Sequence, residues 1–129
     1  AYGIVSSLID LNPNIIRIVN RTKSSGIKLI KHFEKFIQSK KIFETTSPGS
    51  GSINDVDLLV NCTSCGMYGK NPLAIDLTSM NKKSLVYDIV YEPSLTPLMK
   101  LAVDNKLRNT NGFYMLARQA AESFYRCSL

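Results

Sequence analysis

Polar side chains directly follow a short β-branched run at residues 15–19 of this 129-residue sequence, in the order Asn20, Arg21, Thr22. An arginine guanidinium can hold two oxygens of one phosphate at once. At a strand end in a dinucleotide-binding sheet, an arginine meets a 2′-phosphate, whereas an acidic residue binds a ribose 2′-hydroxyl. Arg21 is therefore a candidate phosphate ligand, and an ordinary surface arginine at a strand end is the alternative.

Small and hydroxylated residues follow a second apolar run, residues 57–62. Cys62 ends that run, and Thr63 and Ser64 come next. Small side chains at a strand end let a ligand approach the backbone closely, which makes these three residues candidates for the lining of a ligand cleft.

The same segment contains a C-x-x-C pair, Cys62 and Cys65. A structural zinc site needs four ligands, and the remaining candidates, Cys127 and His32, are distant and lie in no ligand-like motif. A redox pair normally begins a helix, whereas this pair follows a strand. The spacing therefore favours small packing cysteines over a metal or disulfide site, and His32 is predicted to be a surface residue.

Two further polar residues are placed to meet a ligand. Tyr91 follows a third apolar run, residues 85–90, and its hydroxyl can donate or accept a hydrogen bond. A tyrosine packed at the edge of the sheet is the alternative. Gln119 lies in the middle of the predicted apolar face of the last helix, and a buried amide needs hydrogen-bond partners. We expect it to bond the backbone or to point into a polar cleft.

These residues are positioned by strands that alternate with helices, which predicts an α/β fold with a mostly parallel sheet. Such sheets bind ligands at the carboxyl ends of their strands. The predicted strands are residues 15–19, 42–45, 57–62 and 85–90. The predicted helices are residues 1–11, about 22–39, about 97–105 and 113–127. Thr96 is the predicted N-cap of the third helix, and Pro97 is its first residue. One face of the last helix contains Met115, Leu116, Ala120, Ser123, Phe124 and Cys127.

Composition narrows the possible partners. The net charge of +6 favours an anionic partner, but the basic residues are scattered and form no stripe with interleaved aromatics, so nucleic acid is not expected. No apolar run approaches the ~20 residues of a membrane span. Three cysteines and no secretory signature indicate a soluble protein of a reducing compartment, the cytoplasm.

Four motifs in this order resemble shikimate dehydrogenase: N-R-T, N-x-T-S-x-G-M, Y-D-I-V-Y-x-P-x-x-T-P-L and N-G-x-x-M-L-x-x-Q-A-A. The resemblance covers essentially the whole chain, residues 1–129, and corresponds to the C-terminal, Rossmann-like NADP-binding domain of that family. It implies reversible hydride transfer between NADPH and the ketone of 3-dehydroshikimate, in the route to chorismate and the aromatic amino acids.

The resemblance also implies roles for ten residues. Asn20, Arg21 and Thr22 hold the 2′-phosphate end of NADP, and Cys62, Thr63 and Ser64 line the cofactor cleft. Ile89 lies near the nicotinamide, and Gly112 contributes backbone on the same side. Tyr91 and Gln119 reach the hydroxyls or the carboxylate of shikimate.

The sequence departs from the family pattern at several places. Ser25 occupies the position of a second basic residue, and Tyr114 replaces a frequent glycine. No G-x-G-x-x-G-like loop is present, which leads us to expect a domain without its first strand and without the N-terminal substrate domain that carries the catalytic lysine and aspartate. We therefore expect no turnover by the chain alone and self-association through an exposed sheet edge.

Two other functions remain open from the sequence. A quinate/shikimate dehydrogenase that uses NAD is compatible with Ser25. A non-catalytic α/β binding or interaction module is compatible with the missing glycine loop, whereas the retained Arg21, Tyr91 and Gln119 argue against it.

Overall fold

The computed structural model describes residues 1–34, 42–46 and 53–127, with the backbone alone described for 42–46. The chain divides into two compact units, Ala1–Ser52 and Ile53–Leu129. Helices and parallel strands alternate in both, which confirms the predicted α/β class. The helices are α1 Tyr2–Asp10, α2 Lys23–Glu34, α3 Pro97–Asp104 and α4 Phe113–Cys127, and the strands are β1 Ile15–Val19, β2 Ile42–Thr46, β3 Leu58–Asn61, β4 Leu85–Asp88 and β5 Arg108–Asn111.

The first unit is a two-stranded parallel sheet in which β1 pairs with β2, Ile15 opposite Ile42. Residues of α1 and α2 pack together in a small core formed by Val5, Leu29 and Phe33, with Ile9 and Ile18 against it. The predicted helix from about 22 to 39 begins at Lys23 and is described as far as Glu34. Its predicted apolar residues Phe36 and Ile37 lie outside the described residues.

The strand β1 is only partly buried. Ile16 is buried, but Ile15 and Val19 are 47% and 41% exposed. Alternate residues of a strand point to opposite faces, so a β-branched run indicates a strand without saying how many of its faces are covered. In the first unit, Ile18 packs on the α1–α2 core, and it shares its face of β1 with Ile16.

The second unit is a three-stranded parallel sheet with the order β3-β4-β5. Its core lies between the sheet and α3 and contains Ile53, Leu77, Met80, Val86, Leu98, Ala102 and Leu107. The predicted start of α3 is confirmed, because the Thr96 hydroxyl accepts a hydrogen bond from the Met99 N–H at 3.2 Å and Pro97 is the first helical residue. The strand β5 was not predicted, since its sequence R-N-T-N contains no apolar residue.

The bounds of α4 agree with the prediction, but its burial does not. None of its described residues is buried, and Phe124 is 75% exposed. Gln119 is exposed as well, so the expectation of a buried amide on this helix is wrong. An amphipathic pattern fixes which residues share a face, whereas burial requires a second surface against that face. No helix in the described part of the chain is long and apolar enough to cross a membrane.

Candidate functional site

The three strands of the second unit end together at one edge of the sheet. The parallel register aligns Asn61 with Asp88 and Asp88 with Asn111, the last residue of each strand. Because strand ends of a parallel sheet lie side by side, the residues that follow them also lie side by side. Those residues are three that the sequence predicted for the cofactor: Cys62, Ile89 and Gly112.

Gly112 lies against the backbone of Ile89. A β-carbon at position 112 would overlap the Ile89 carbonyl oxygen and would lie 2.8 Å from its carbonyl carbon. No side chain fits in that space, so glycine is required where β5 joins α4. The buried backbone of Gly112 thereby packs directly on that of the half-buried Ile89.

The turn after β3 is held by the side chain of Asn61. The Asn61 Oδ1 accepts hydrogen bonds from the backbone N–H of Thr63 at 3.0 Å and from its hydroxyl at 2.7 Å. The Thr63 hydroxyl in turn accepts from the Cys65 N–H at 3.0 Å. Thr63 and Ser64 are exposed at the strand end, as a cleft-lining role requires.

The two cysteines of this turn form no disulfide. All three cysteines of the chain are free. The described residues contain no group of three or more histidine, cysteine, aspartate or glutamate side chains that could hold a metal ion. Burial raises the pKa of the Cys62 thiol, which keeps it protonated at neutral pH. Cys62 is thus a small residue of low reactivity at neutral pH.

Asp88 is a central residue of the site that the sequence reasoning missed. Its side chain is completely buried, at 0% exposure, and accepts three hydrogen bonds. Oδ1 accepts from Asn61 Nδ2 at 2.9 Å and from the Val90 N–H at 3.1 Å, and Oδ2 accepts from the Thr96 hydroxyl at 2.7 Å. The sequence feature that could have identified Asp88 is an aspartate at the end of an apolar run. A carboxylate in such a place is buried, and a buried carboxylate requires several donors around it.

A cleft of about 390 Å³ opens beside Tyr91 and is lined by Met67, Tyr68, Val90, Tyr91 and Glu92. Tyr91 is 43% exposed, so it is available to a ligand and is not packed away at the sheet edge. Tyr68, which the sequence reasoning also missed, is 70% exposed and has a left-handed backbone with φ 53°. Its N–H donates to the Glu92 carbonyl at 2.7 Å, which ties the turn Met67–Gly69 to the loop after β4.

The phosphate-binding candidates belong to the first unit. Asn20, Arg21 and Thr22 join β1 to α2, and the Asn20 amide donates to the Thr22 carbonyl at 3.1 Å. That carbonyl also accepts from the Ser25 N–H at 3.0 Å in the first turn of the helix. Arg21 is exposed, one residue before Thr22. A cationic side chain next to a helix N-terminus is a favourable place for an anion, and the geometry of Arg21 is compatible with its predicted role.

Parallel strands joined by helices, with the candidate residues at the strand ends, define a Rossmann-type nucleotide-binding protein. No protein-family model matches the chain. The shikimate dehydrogenase (NADP⁺) of Prochlorococcus marinus strain MIT 9312 is 35% identical over 130 aligned positions, which cover 95% of this chain. On this similarity the chain belongs to the shikimate dehydrogenase family. It spans about half of such relatives, 46% of the length in this case.

Solved structures show the same fold. A quinate dehydrogenase from Corynebacterium glutamicum in complex with NAD matches with a TM-score of 0.83, over 95% of this chain and 44% of that one, at 22% identity. A shikimate dehydrogenase in complex with NADP⁺ matches with a TM-score of 0.67, over 84% of this chain and 39% of that one, at 27% identity. Both chains are more than twice the length that this chain matches.

Proposed function

We propose that this chain is the NADP-binding domain of a shikimate dehydrogenase, the enzyme that reversibly reduces 3-dehydroshikimate to shikimate with NADPH. The observation that carries the proposal is the alignment of Cys62, Ile89 and Gly112 at one edge of a parallel sheet, in a chain that is 35% identical to an NADP⁺-dependent shikimate dehydrogenase. A Rossmann-type sheet binds its cofactor at that edge.

Candidate residues in each of the two units fit the cofactor by their chemistry. The exposed Arg21 guanidinium before α2 offers a planar set of donors for the 2′-phosphate, with Asn20 and Thr22 shaping the turn around it. Ile89 and the side-chain-free backbone of Gly112 support the nicotinamide, and Cys62, Thr63 and Ser64 border the cleft. When bound, NADPH supplies the hydride for the ketone carbon.

The substrate side of the proposal rests on Tyr91 and Gln119. Tyr91 lines the cleft after β4, and a tyrosine hydroxyl can donate to or accept from a polyhydroxylated acid. The Gln119 amide is exposed on α4 and offers both a donor and an acceptor. The proposal assigns no proton-transfer group to these 129 residues, so it expects cofactor binding by the chain and no turnover.

A titration of the chain with NADPH and with NADH tests the proposal. Wild-type chain is expected to bind NADPH more tightly, and Arg21→Gln is expected to lose about 1.5–3 kcal/mol of NADPH binding with little effect on NADH. Arg108→Gln is the matched control, because Arg108 begins β5 and therefore lies at the opposite, amino end of the strands. Equal binding of both nucleotides, insensitive to Arg21→Gln, would contradict the NADP assignment.

Ser25 favours a second candidate, a quinate/shikimate dehydrogenase that uses NAD. Ser25 is exposed in the first turn of α2 and carries no charge to support Arg21. Tighter binding of NADH than of NADPH would support this candidate. Binding of neither nucleotide would favour a non-catalytic α/β module.

A further inference from the structure

We propose that Asp88 is the positioning residue of this site, and that it couples the cofactor-side turn after β3 to the substrate-side loop after β4. The inference rests on the proposed function for the identity of the two ligands. The coupling itself rests only on the hydrogen bonds around Asp88.

Asp88 joins three segments that are separate in sequence. Its partners are Asn61 at the end of β3, Val90 in the loop after β4 and Thr96 at the start of α3. Asn61 and Asp88 are 27 positions apart. All three partners donate, and an ionised carboxylate can only accept. The aspartate therefore accepts, with one side chain, from buried donors in three separate segments of the chain.

The carboxylate also fixes the direction of the hydrogen bonds in the turn after β3. Because the Asn61 NH₂ must face Asp88, the Asn61 carbonyl oxygen must face Thr63, and it accepts from both the Thr63 N–H and hydroxyl. The Thr63 hydroxyl donates its hydrogen bond to Asn61, and its oxygen accepts from the Cys65 N–H. The same NH₂ also donates to the Cys65 carbonyl at 3.3 Å, so Asp88 on the neighbouring strand and the turn itself together hold this orientation.

The same carboxylate oxygen that orients Asn61 also holds the Val90 N–H. Val90 precedes Tyr91, and both line the cleft on the substrate side. A shift of the Asp88 carboxylate would therefore move the Thr63 turn and the Tyr91 loop together. Bonds through one shared, fully buried acceptor are a physical connection between the two binding surfaces.

Asp88→Asn tests the coupling, because asparagine has the same shape but offers one acceptor oxygen where three donors converge. Two readouts are taken on the 129-residue chain: nitrogen–proton correlation spectra, and titration with NADPH for both Kd and stoichiometry. We expect the amide signals of Thr63, Cys65, Val90 and Met99 to shift. We expect Kd to rise about tenfold with the stoichiometry unchanged. Simple destabilisation would instead lower the stoichiometry and leave Kd as it was.

Asp76→Asn is the matched control. Asp76 also accepts from a backbone N–H two residues on, that of Thr78 at 2.9 Å, but it is exposed and outside the hydrogen bonds of Asp88. Only amide signals near Thr78 are expected to shift, with Kd changed by less than about twofold.

If Asp88→Asn does not fold, Thr96→Val takes its place, because it removes one donor to Asp88 and leaves Asn61 and Val90 intact. The signals of Thr63 and Cys65 should still move.

Unchanged Thr63 and Cys65 signals in the variant overturn the coupling, and so does a loss of stoichiometry at constant Kd. A wild-type chain that binds no NADPH overturns the proposed function, and the amide signals then decide the coupling alone. The two proposals can therefore fail separately.

Discussion

The backbone of Gly112 lies so close to the Ile89 carbonyl that a methyl group at position 112 would overlap its oxygen. Gly112→Ala is therefore expected to destabilise the second unit by about 1–3 kcal/mol, because the end of β4 or the start of α4 must move to make room. Urea unfolding measures the loss. The NADPH titration should show weaker binding as well, since the displaced backbone is the proposed support for the nicotinamide.

Gly3→Ala is the control for that substitution. Gly3 lies inside α1, and a β-carbon there would meet nothing within 4 Å. Alanine at this position should be neutral or should stabilise the helix by up to about 1 kcal/mol. A Gly112→Ala chain that is as stable as Gly3→Ala would contradict the close approach of Gly112 to Ile89.

Restoring a basic residue at position 25 is expected to strengthen NADPH binding. Ser25→Arg places a second cation in the first turn of α2, close in sequence to Arg21, and should tighten NADPH binding about threefold because an exposed ion pair contributes about 0.2–1 kcal/mol. NADH binding should not change, since it lacks the 2′-phosphate. Ser24→Arg adds the same charge at the neighbouring exposed position. Equal gains from both variants would mean a general charge effect and no specific phosphate contact.

The three free cysteines are expected to differ in reactivity. Burial raises the pKa of the Cys62 thiol, whereas Cys127 is exposed. At about pH 7, iodoacetamide should label Cys127 first and Cys62 slowly, because the thiolate is the reactive form. Peptide mapping by mass spectrometry gives both rates. NADPH should slow the labelling of Cys62 further if this residue borders the cofactor, and rapid labelling of Cys62 at neutral pH would contradict its burial.

The same pKa shift predicts a pH dependence of stability. The folded chain holds the Cys62 proton more tightly than the unfolded chain, so the unfolded chain loses it first as the pH rises. The contribution of this thiol to stability is thus complete below the ordinary cysteine pKa and decreases as the pH rises above it. Cys62→Ser should remove that part of the alkaline loss in a series of urea unfolding curves.

Self-association through β3 remains a prediction. Among the described strands, β3 pairs only with β4, so its other edge presents unpaired backbone N–H and C=O groups. We expect the sedimentation coefficient to increase with concentration, and Val60→Lys to suppress that increase by placing a charge on the edge strand. Phe124→Ser, on the exposed face of α4, is the comparison. A monomer at high concentration would contradict the prediction, and suppression by Phe124→Ser alone would place the contact on α4.

Local chemistry made several elements of this chain predictable. Thr96 followed by Pro97 indicates a helix start because a hydroxyl cap and a residue without an N–H both suit that position, and the structure has the cap at 3.2 Å. The β-branched run 15–19 indicated β1 with its correct bounds, and the 3.6-residue period indicated α4 with its correct bounds. Each of these signals lies within the segment that it describes.

The order of residues along the chain also indicated which residues at the strand ends are candidates for binding a ligand. Arg21 and Tyr91 were identified because each follows an apolar run, and Cys62 because it ends one. The register of two parallel strands, β3 and β4, is sufficient to bring Cys62 and Ile89 side by side. The family resemblance added Ile89 and Gly112, and the need for glycine at position 112 depends on its contact with Ile89 at the end of another strand.

Only the tertiary structure decided the features that depend on partners distant in sequence. The segment R-N-T-N is a strand because β4 supplies hydrogen bonds to its backbone, which no apolar pattern in the segment reveals. Asp88 is buried because donors from residues 61, 90 and 96 converge on it, and α4 remains exposed although its sequence pattern is amphipathic. Secondary structure follows from local backbone and side-chain preferences, whereas burial and hydrogen-bond satisfaction depend on which surfaces meet, and that is fixed only when the chain folds.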